Sequence, residues 1–198
     1  MGRKAFLLLA ALLVSFSANA RYDAERGMFT HSIYADYGLN GVFSYFSPDL
    51  SYTDFIKSSN ERYTGCFNVG YEYRLSRRFG IGADVSWAGK SYTISEYDET
   101  TGGLISVTDH TENILCIMAT FRWIWLDKED VSLYSTGKLG YSHSTFDNIE
   151  FLHQFKFFRP FFHIVPIGIE VGKNHVRGFA EIGFGAQSFA CAGAKFRF

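Results

Sequence analysis

Histidines, cysteines and clustered carboxylates are the residues of this 198-residue chain that could do chemistry. His143-Ser144-Thr145 sets an imidazole beside two hydroxyls, with Asp147 and Glu150 close in sequence, the ingredients of a nucleophile, base and acid relay. In an extended strand adjacent side chains point to opposite faces, so His143 and Ser144 diverge and Thr145 returns to the face of His143. His143 and Thr145 are therefore the candidate catalytic pair. His110, His153 and His163 have no better-placed partners. Glu72 with Glu181, or Asp36 with Glu72, has the composition of a carboxylate dyad, but the basic residues of the same stretches make salt bridges the expected use. Cys66, Cys116 and Cys191 are odd in number, which leaves at least one without an intramolecular partner. Each sits in an apolar or alternating stretch, where Cys behaves as a small buried residue. No CxxC occurs and the histidines are scattered, so no metal or cofactor is expected.

Strands must position these groups. The segment Phe189 to Phe198, FACAGAKFRF, carries Ala190, Ala192, Ala194, Phe196 and Phe198 on one parity, and Lys195 and Arg197 on the other. A period of two marks a strand with one apolar and one polar face. The same period predicts strands over about 28–43, 62–75, 79–94, 110–126, 131–143, 155–171, 176–184 and 189–198. Phe79, Ile81, Ala83, Val85 and Trp87 share a face, for example, with Asp84, Ser86 and Lys90 opposite. In the sixth strand the odd phase sends Phe161, His163, Val165, Ile167, Ile169 and Val171 outward and Glu170 inward. Pro160 or Pro166 marks a place where a bulge would shift that phase.

Connections alternate in length. Tight turns are expected at 76–78, 127–130 and 173–175, and a short connection at 185–187. Longer ones are expected at 47–60, 95–109 and 144–154. The middle one contains Gly102-Gly103 and reads as an exposed loop, with a protruding hairpin as the alternative. An even strand number then puts both ends of the strand set on the side of the tight turns.

Ahead of the strands, Arg3 and Lys4 precede the apolar run Ala5 to Phe16 and the small-x-small site Ala18-Asn19-Ala20. This predicts a secretory signal peptide over residues 1–20, cleaved before Arg21, and a single domain over 21–198. Aromatics make up 18% of the chain, favouring strands, and the formal net charge of -1 does not suit a nucleic-acid partner.

Face composition decides what surrounds these strands. Turned inward, Phe67, Tyr71, Tyr73, Trp87, Phe121, Trp123 and Trp125 would overfill an eight-stranded lumen, as a soluble ligand-binding barrel would require. Turned outward they meet hydrocarbon, and the opposite face fills the lumen with Asp36, Glu72, Asp84, Glu112, Glu170 and Glu181 against Arg74, Lys90, Arg122, Lys138, Arg177, Lys195 and Arg197. Six against seven permits pairing, which buried charges require. The fold class expected is therefore all-β, an eight-stranded antiparallel up-and-down transmembrane β-barrel with a packed ionic lumen. Tyr71, Tyr73, Phe79, Trp123, Trp125, Phe196 and Phe198 fall near the tight-turn end, as an interfacial girdle does.

This layout resembles the small eight-stranded outer-membrane barrels of Gram-negative bacteria, the OmpA-transmembrane-domain and OmpX-like type, over essentially the whole segment 21–198. The resemblance implies the outer membrane as location, its lipid and lipopolysaccharide as surroundings, and a monomer. Phe196 and Phe198 resemble the C-terminal signal read by the barrel-assembly machinery, and both are expected to meet lipid or its interface. The function implied is non-enzymatic, structural or directed at an extracellular ligand through the longer connections. A lipid A-modifying enzyme is the alternative: deacylases of that kind place a Ser two residues after a His, and here Thr145 stands in that place. A small-solute channel ranks third.

Overall fold

Ser32 lies opposite Arg197 and Leu39 opposite Ala190, so in the computed structural model the last strand closes on the first. The structure describes residues 22–23, 28–39, 56–98, 100–147, 158–185 and 187–198. The expected signal peptide and most of the connections 47–60 and 144–154 lie outside the described residues. The strands are β1 (His31–Leu39), β2 (Ile56–Arg74), β3 (Phe79–Tyr97), β4 (Leu104–Asp127), β5 (Val131–Asp147), β6 (Phe158–Lys173), β7 (Val176–Gly185) and β8 (Ala190–Arg197). Each pairs antiparallel with its sequence neighbours, and β8 pairs with both β7 and β1. The fold is an all-β, eight-stranded, up-and-down closed barrel. A two-residue ladder, Tyr22–Asp23 with Met28–Phe29, precedes it.

Closure follows from the chemistry of the backbone. A strand edge with no partner leaves N–H and C=O groups that hydrocarbon cannot satisfy, and a closed ladder removes them. Here the seam runs to the last residue: His31 N–H donates to Phe198 O at 3.0 Å, and Phe198 N–H donates to His31 O at 2.8 Å.

The outer face carries a continuous apolar band. From Phe79 to Trp87 on β3, eight steps of about 3.3 Å at a tilt of about 40° give roughly 20 Å of height, close to a membrane band. Phe79 stands opposite Trp123 and Trp87 opposite Leu115, so β4 marks the same two levels. Between them no described outward side chain is charged, and Val85, Ile117, Leu139, Ile169 and Ile182 are all exposed.

Four features depart from the sequence reading. Residues 95–109 form the protruding hairpin rather than an exposed loop: β3 and β4 stay paired up to Tyr97 and Leu104, where β-branched Ile105, Val107 and Thr108 favour strand. Asp98 closes the tip, its carboxylate accepting from the N–H groups of Thr100 and Thr101 and from the Thr101 hydroxyl. The flanking strands β2 and β5 likewise run into the expected connections, to Ile56 and Asp147.

The phase of β6 shifts at Pro166. Register jumps there against both neighbours, so Phe162 and Ile164 face out while Phe161, His163 and Val165 face in; Ile167 and Ile169 resume the outward odd phase. Of the two places where the sequence left the phase open, Pro160 and Pro166, the shift falls at Pro166, and it turns Phe161, His163 and Val165 inward instead of outward. A bulge frees a carbonyl from the ladder, and the Ser135 hydroxyl donates to Pro166 O at 2.6 Å.

The other two departures are at the rim and on β2. Phe198 is only 8% exposed, stacked on His31 with ring centroids 5.9 Å apart, whereas Phe196 is 42% exposed on the outer face. On β2 the register shifts between Tyr63 and Cys66, where Gly65 takes φ +80, a conformation favoured only by glycine, and Tyr37 OH donates to Thr64 O.

Candidate functional site

The lumen is the only place where this fold concentrates chemistry among the described residues. All thirteen charged residues read as inward-facing are buried. Their strands are adjacent or cross the barrel, so partners come from distant sequence: Lys195 Nζ lies 3.0 Å from both Glu72 Oε2 and Glu170 Oε2. Arg122 is the hub. Its guanidinium reaches Glu72 at 3.1 Å, Glu170 at 3.3 Å and Glu181 at 3.5 Å, and sits 4.0 Å over the Tyr134 ring. Tyr134 OH donates to Glu181 at 2.9 Å. Breaking such a set costs far more than the set itself contributes, because one removed partner strands several buried charges.

A second cluster sits next to the first. Lys138 Nζ lies 2.6 Å from Asp84 Oδ2 and donates to Gln187 Oε1 at 2.6 Å. Gln187 Nε2 donates to Asp84 Oδ1 at 3.1 Å, and Tyr34 OH to Asp84 Oδ2 at 3.2 Å. Gln187 belongs to the short β7–β8 connection, and its side chain enters the lumen. Asp36 accepts from Asn68 Nδ2 at 2.5 Å. An apolar layer of Cys66, Ala88, Ile114, Cys116 and Met118, packed against Phe161, occupies another level of the interior. The three cysteines are free and buried. Lys90 lies over the rings of Tyr63 and Tyr92 at 5.5 and 5.2 Å, opposite Glu112 across the β3–β4 pair.

At the tight-turn end, Arg74 Nη1 lies 3.0 Å from Asp127 Oδ2. Arg177 Nη1 donates to Ser132 at 2.8 Å and its Nη2 to the Glu129 carbonyl, with Nε 3.7 Å from Glu170. Arg197 donates from Nε and Nη2 to the Asn174 carbonyl at 3.2 and 2.8 Å.

His143 and Thr145 share the outer face of β5, opposite Leu115 and Asn113 of β4, and no hydrogen bond joins them. Ser144 turns the other way, opposite Ile114. The lumen carboxylates are engaged with cations or amides, leaving neither Asp36 with Glu72 nor Glu72 with Glu181 as a free dyad. Among the described residues no group of His, Cys, Asp and Glu could hold a metal ion.

Sequence reasoning did not single out Gln187, Tyr34 or Asn68. For Tyr34 and Asn68 the signal was parity, with Ser32 and Asp36 and with Cys66 and Gly70 respectively. Gln187 lies outside a strand, where parity says nothing. The geometry is that of a lumen packed with mostly paired charges within an apolar-walled closed barrel, and the closed eight-stranded architecture is consistent with the general class of small outer-membrane barrels. The chain matches no protein-family model, and no curated protein matches it.

Proposed function

We propose that this chain is a non-enzymatic bacterial outer-membrane barrel, resembling the OmpA transmembrane domain and OmpX, that presents a tall sheet to an extracellular ligand. The observation that carries the reading is the pairing of an uncharged, aromatic-rimmed outer band with a buried ionic lumen. Hydrocarbon outside and salt bridges inside satisfy both faces; water outside would leave Ile117, Trp123, Leu139 and Ile182 exposed.

The tall sheet supports the display role. From Trp87 to Tyr97, ten residues at about 3.3 Å and a tilt near 40° lift the hairpin roughly 25 Å above the band. Its β4 side carries Leu104, Ile105 and Val107, each more than half exposed. The pairing of β4 with β3 continues up to Tyr97 with Leu104, so the hairpin stands as a sheet above the band. Lipopolysaccharide surrounds the band in this reading, the assembly machinery reads the segment ending in Phe196 and Phe198, and the folded barrel is a monomer, inserted after cleavage of residues 1–20. The dense lumen favours display over solute conduction.

The test is fractionation of cells making the protein, followed by electrophoresis with and without heating. Recovery with the outer membrane and faster migration of the unheated form are expected. A soluble protein, or one whose mobility is unchanged by heating, would contradict the reading. Lipid A profiles with and without the protein are expected to be identical.

A further inference from the structure

Among the six cations of the ionic lumen below the apolar layer, Arg74, Arg122, Lys138, Arg177 and Lys195 each have a carboxylate within 4.0 Å. Arg197 has none among the described residues, although it is only 8% exposed. Its partners are the Asn174 carbonyl and the face of Phe29, 5.2 Å from the guanidinium carbon. A carbonyl dipole and a ring quadrupole orient a guanidinium without neutralising it, and a buried charge with no counter-ion is costly.

The surroundings add to the imbalance. Arg74 and Arg177 open onto the same end of the barrel, and among the described residues the carboxylates within 4.0 Å of them are Asp127, shared between Arg74 and Ser132, Glu72 and Glu170. Ser32 stands directly across the β1–β8 pair from Arg197 and is buried, as is Thr30 next to it at the rim. The turn that supplies the carbonyl is fixed by Asn174 in the left-handed region, φ 53. The Asn174 carbonyl engages Nε and Nη2 of Arg197, which leaves Nη1 without a hydrogen-bond partner among the described residues.

We propose that this mouth is an anion site in which Arg197 takes one phosphate group, with hydroxyls of Ser32 and Thr30 beside it and the field of Arg74 and Arg177 behind it. A guanidinium offers a planar fork that matches phosphate oxygens, and it keeps its charge in a partly dry setting. Free phosphate and a phospholipid headgroup share that chemistry. The site itself stands on the barrel geometry; only its supply from the periplasmic side rests on the outer-membrane reading.

The experiment titrates inorganic phosphate into the refolded full chain in nonionic detergent at constant ionic strength, followed by 31P line width and backbone amide shifts. Saturable binding is expected in the wild type, at least tenfold weaker binding in Arg197→Gln, partial retention in Arg197→Lys, and no change in Arg62→Gln, an exposed arginine on β2. Heat-dependent mobility checks that each variant has folded. Should Arg197→Gln not assemble, the wild type still decides, because the amides of Asn174 and Phe198 are expected to shift together and saturate. A parallel arm retains the protein in phosphatidylglycerol or phosphatidylcholine bilayers and weighs co-purifying lipid. One phosphatidylglycerol held by the wild type and lost in Arg197→Gln assigns the site to a headgroup; phosphate binding without lipid retention assigns it to free phosphate. The absence of saturable binding in both arms, or equal binding by Arg197→Gln, overturns the site. The phosphate arm is independent of where the protein resides in the cell.

Discussion

Below Trp87 and above it, the same two strands live in opposite surroundings. In the band, β3 and β4 alternate Val85, Ala83 and Phe121 outward with Asp84, Thr120 and Arg122 inward, and Asp84 and Arg122 each find a charged partner from another strand. Above the band the pairing continues, from Ser91 with Thr111 to Tyr97 with Leu104, but hydroxyls and carboxylates now stand on the surface: Thr93 donates to Asp109 at 2.8 Å and Ser106 to Glu96 at 3.0 Å. One ladder of backbone hydrogen bonds therefore serves two solvents. What differs is the cost of a polar group without a partner, several kcal/mol in hydrocarbon or a dry lumen and little in water. The band is where single substitutions should hurt, and the hairpin is where they should be tolerated.

The largest effect is expected at the hub. Arg122→Met removes the shared partner of Glu72, Glu170 and Glu181 and should cost about 3–5 kcal/mol, read as a lower urea midpoint for loss of the fast-migrating form. Ser135→Ala should cost about 1–3 kcal/mol in the same assay, because it leaves the Pro166 carbonyl of the bulge unsatisfied at the barrel wall. Replacing the stretch between Ile94 and Thr108 by Asn-Gly should change the stability by less than about 0.5 kcal/mol, since the described side chains removed are exposed or half-exposed; a large loss would erase the distinction between the two regions.

The smallest effect lies at the hairpin tip. Hydrogen bonds from the Thr101 N–H, the Thr101 hydroxyl and the Thr100 N–H hold the exposed Asp98 carboxyl below its usual range. A carboxylate depressed in the folded state favours the turn above its unfolded pKa, and that support is lost as pH falls through the folded value. Amide exchange at Thr100 and Thr101 should accordingly speed up, relative to other exposed amides, on acidification through the carboxylate range, while the band is unaffected. In Asp98→Asn that pH dependence should vanish.

Much of this contrast was legible in the residues. Parity placed Asp36, Glu72, Asp84, Arg122, Lys195 and their companions on one face of every strand, because a membrane barrel has no other place for them. Which carboxylate meets which cation was not legible: Lys138 with Asp84 and Arg122 with Glu170 depend on how strands cross the lumen, and a strand's own sequence does not encode that register. Parity also fails wherever a residue is inserted. Pro166 flagged an irregularity in β6, but two prolines were available, and only the partner strands fix that Phe161, His163 and Val165 turn inward. Polar composition misled at 95–109, since Ser, Thr and Asp serve a water-facing strand as readily as a loop. Phe198 kept its parity by sequence but lies past the last ladder residue of β8, where stacking on His31 decides its position.

The central claim is that the outer face of the band meets hydrocarbon and the hairpin meets water. With Cys66, Cys116 and Cys191 replaced by Ala, single nitroxide labels at Ile117, Ala180 and Val107 in lipid bilayers test it through collision with oxygen and with a water-soluble nickel chelate. The account predicts high oxygen and low nickel access at Ile117 and Ala180, on opposite walls of the barrel, and the reverse at Val107. Nickel access at Ile117 or Ala180 equal to that at Val107 would contradict it.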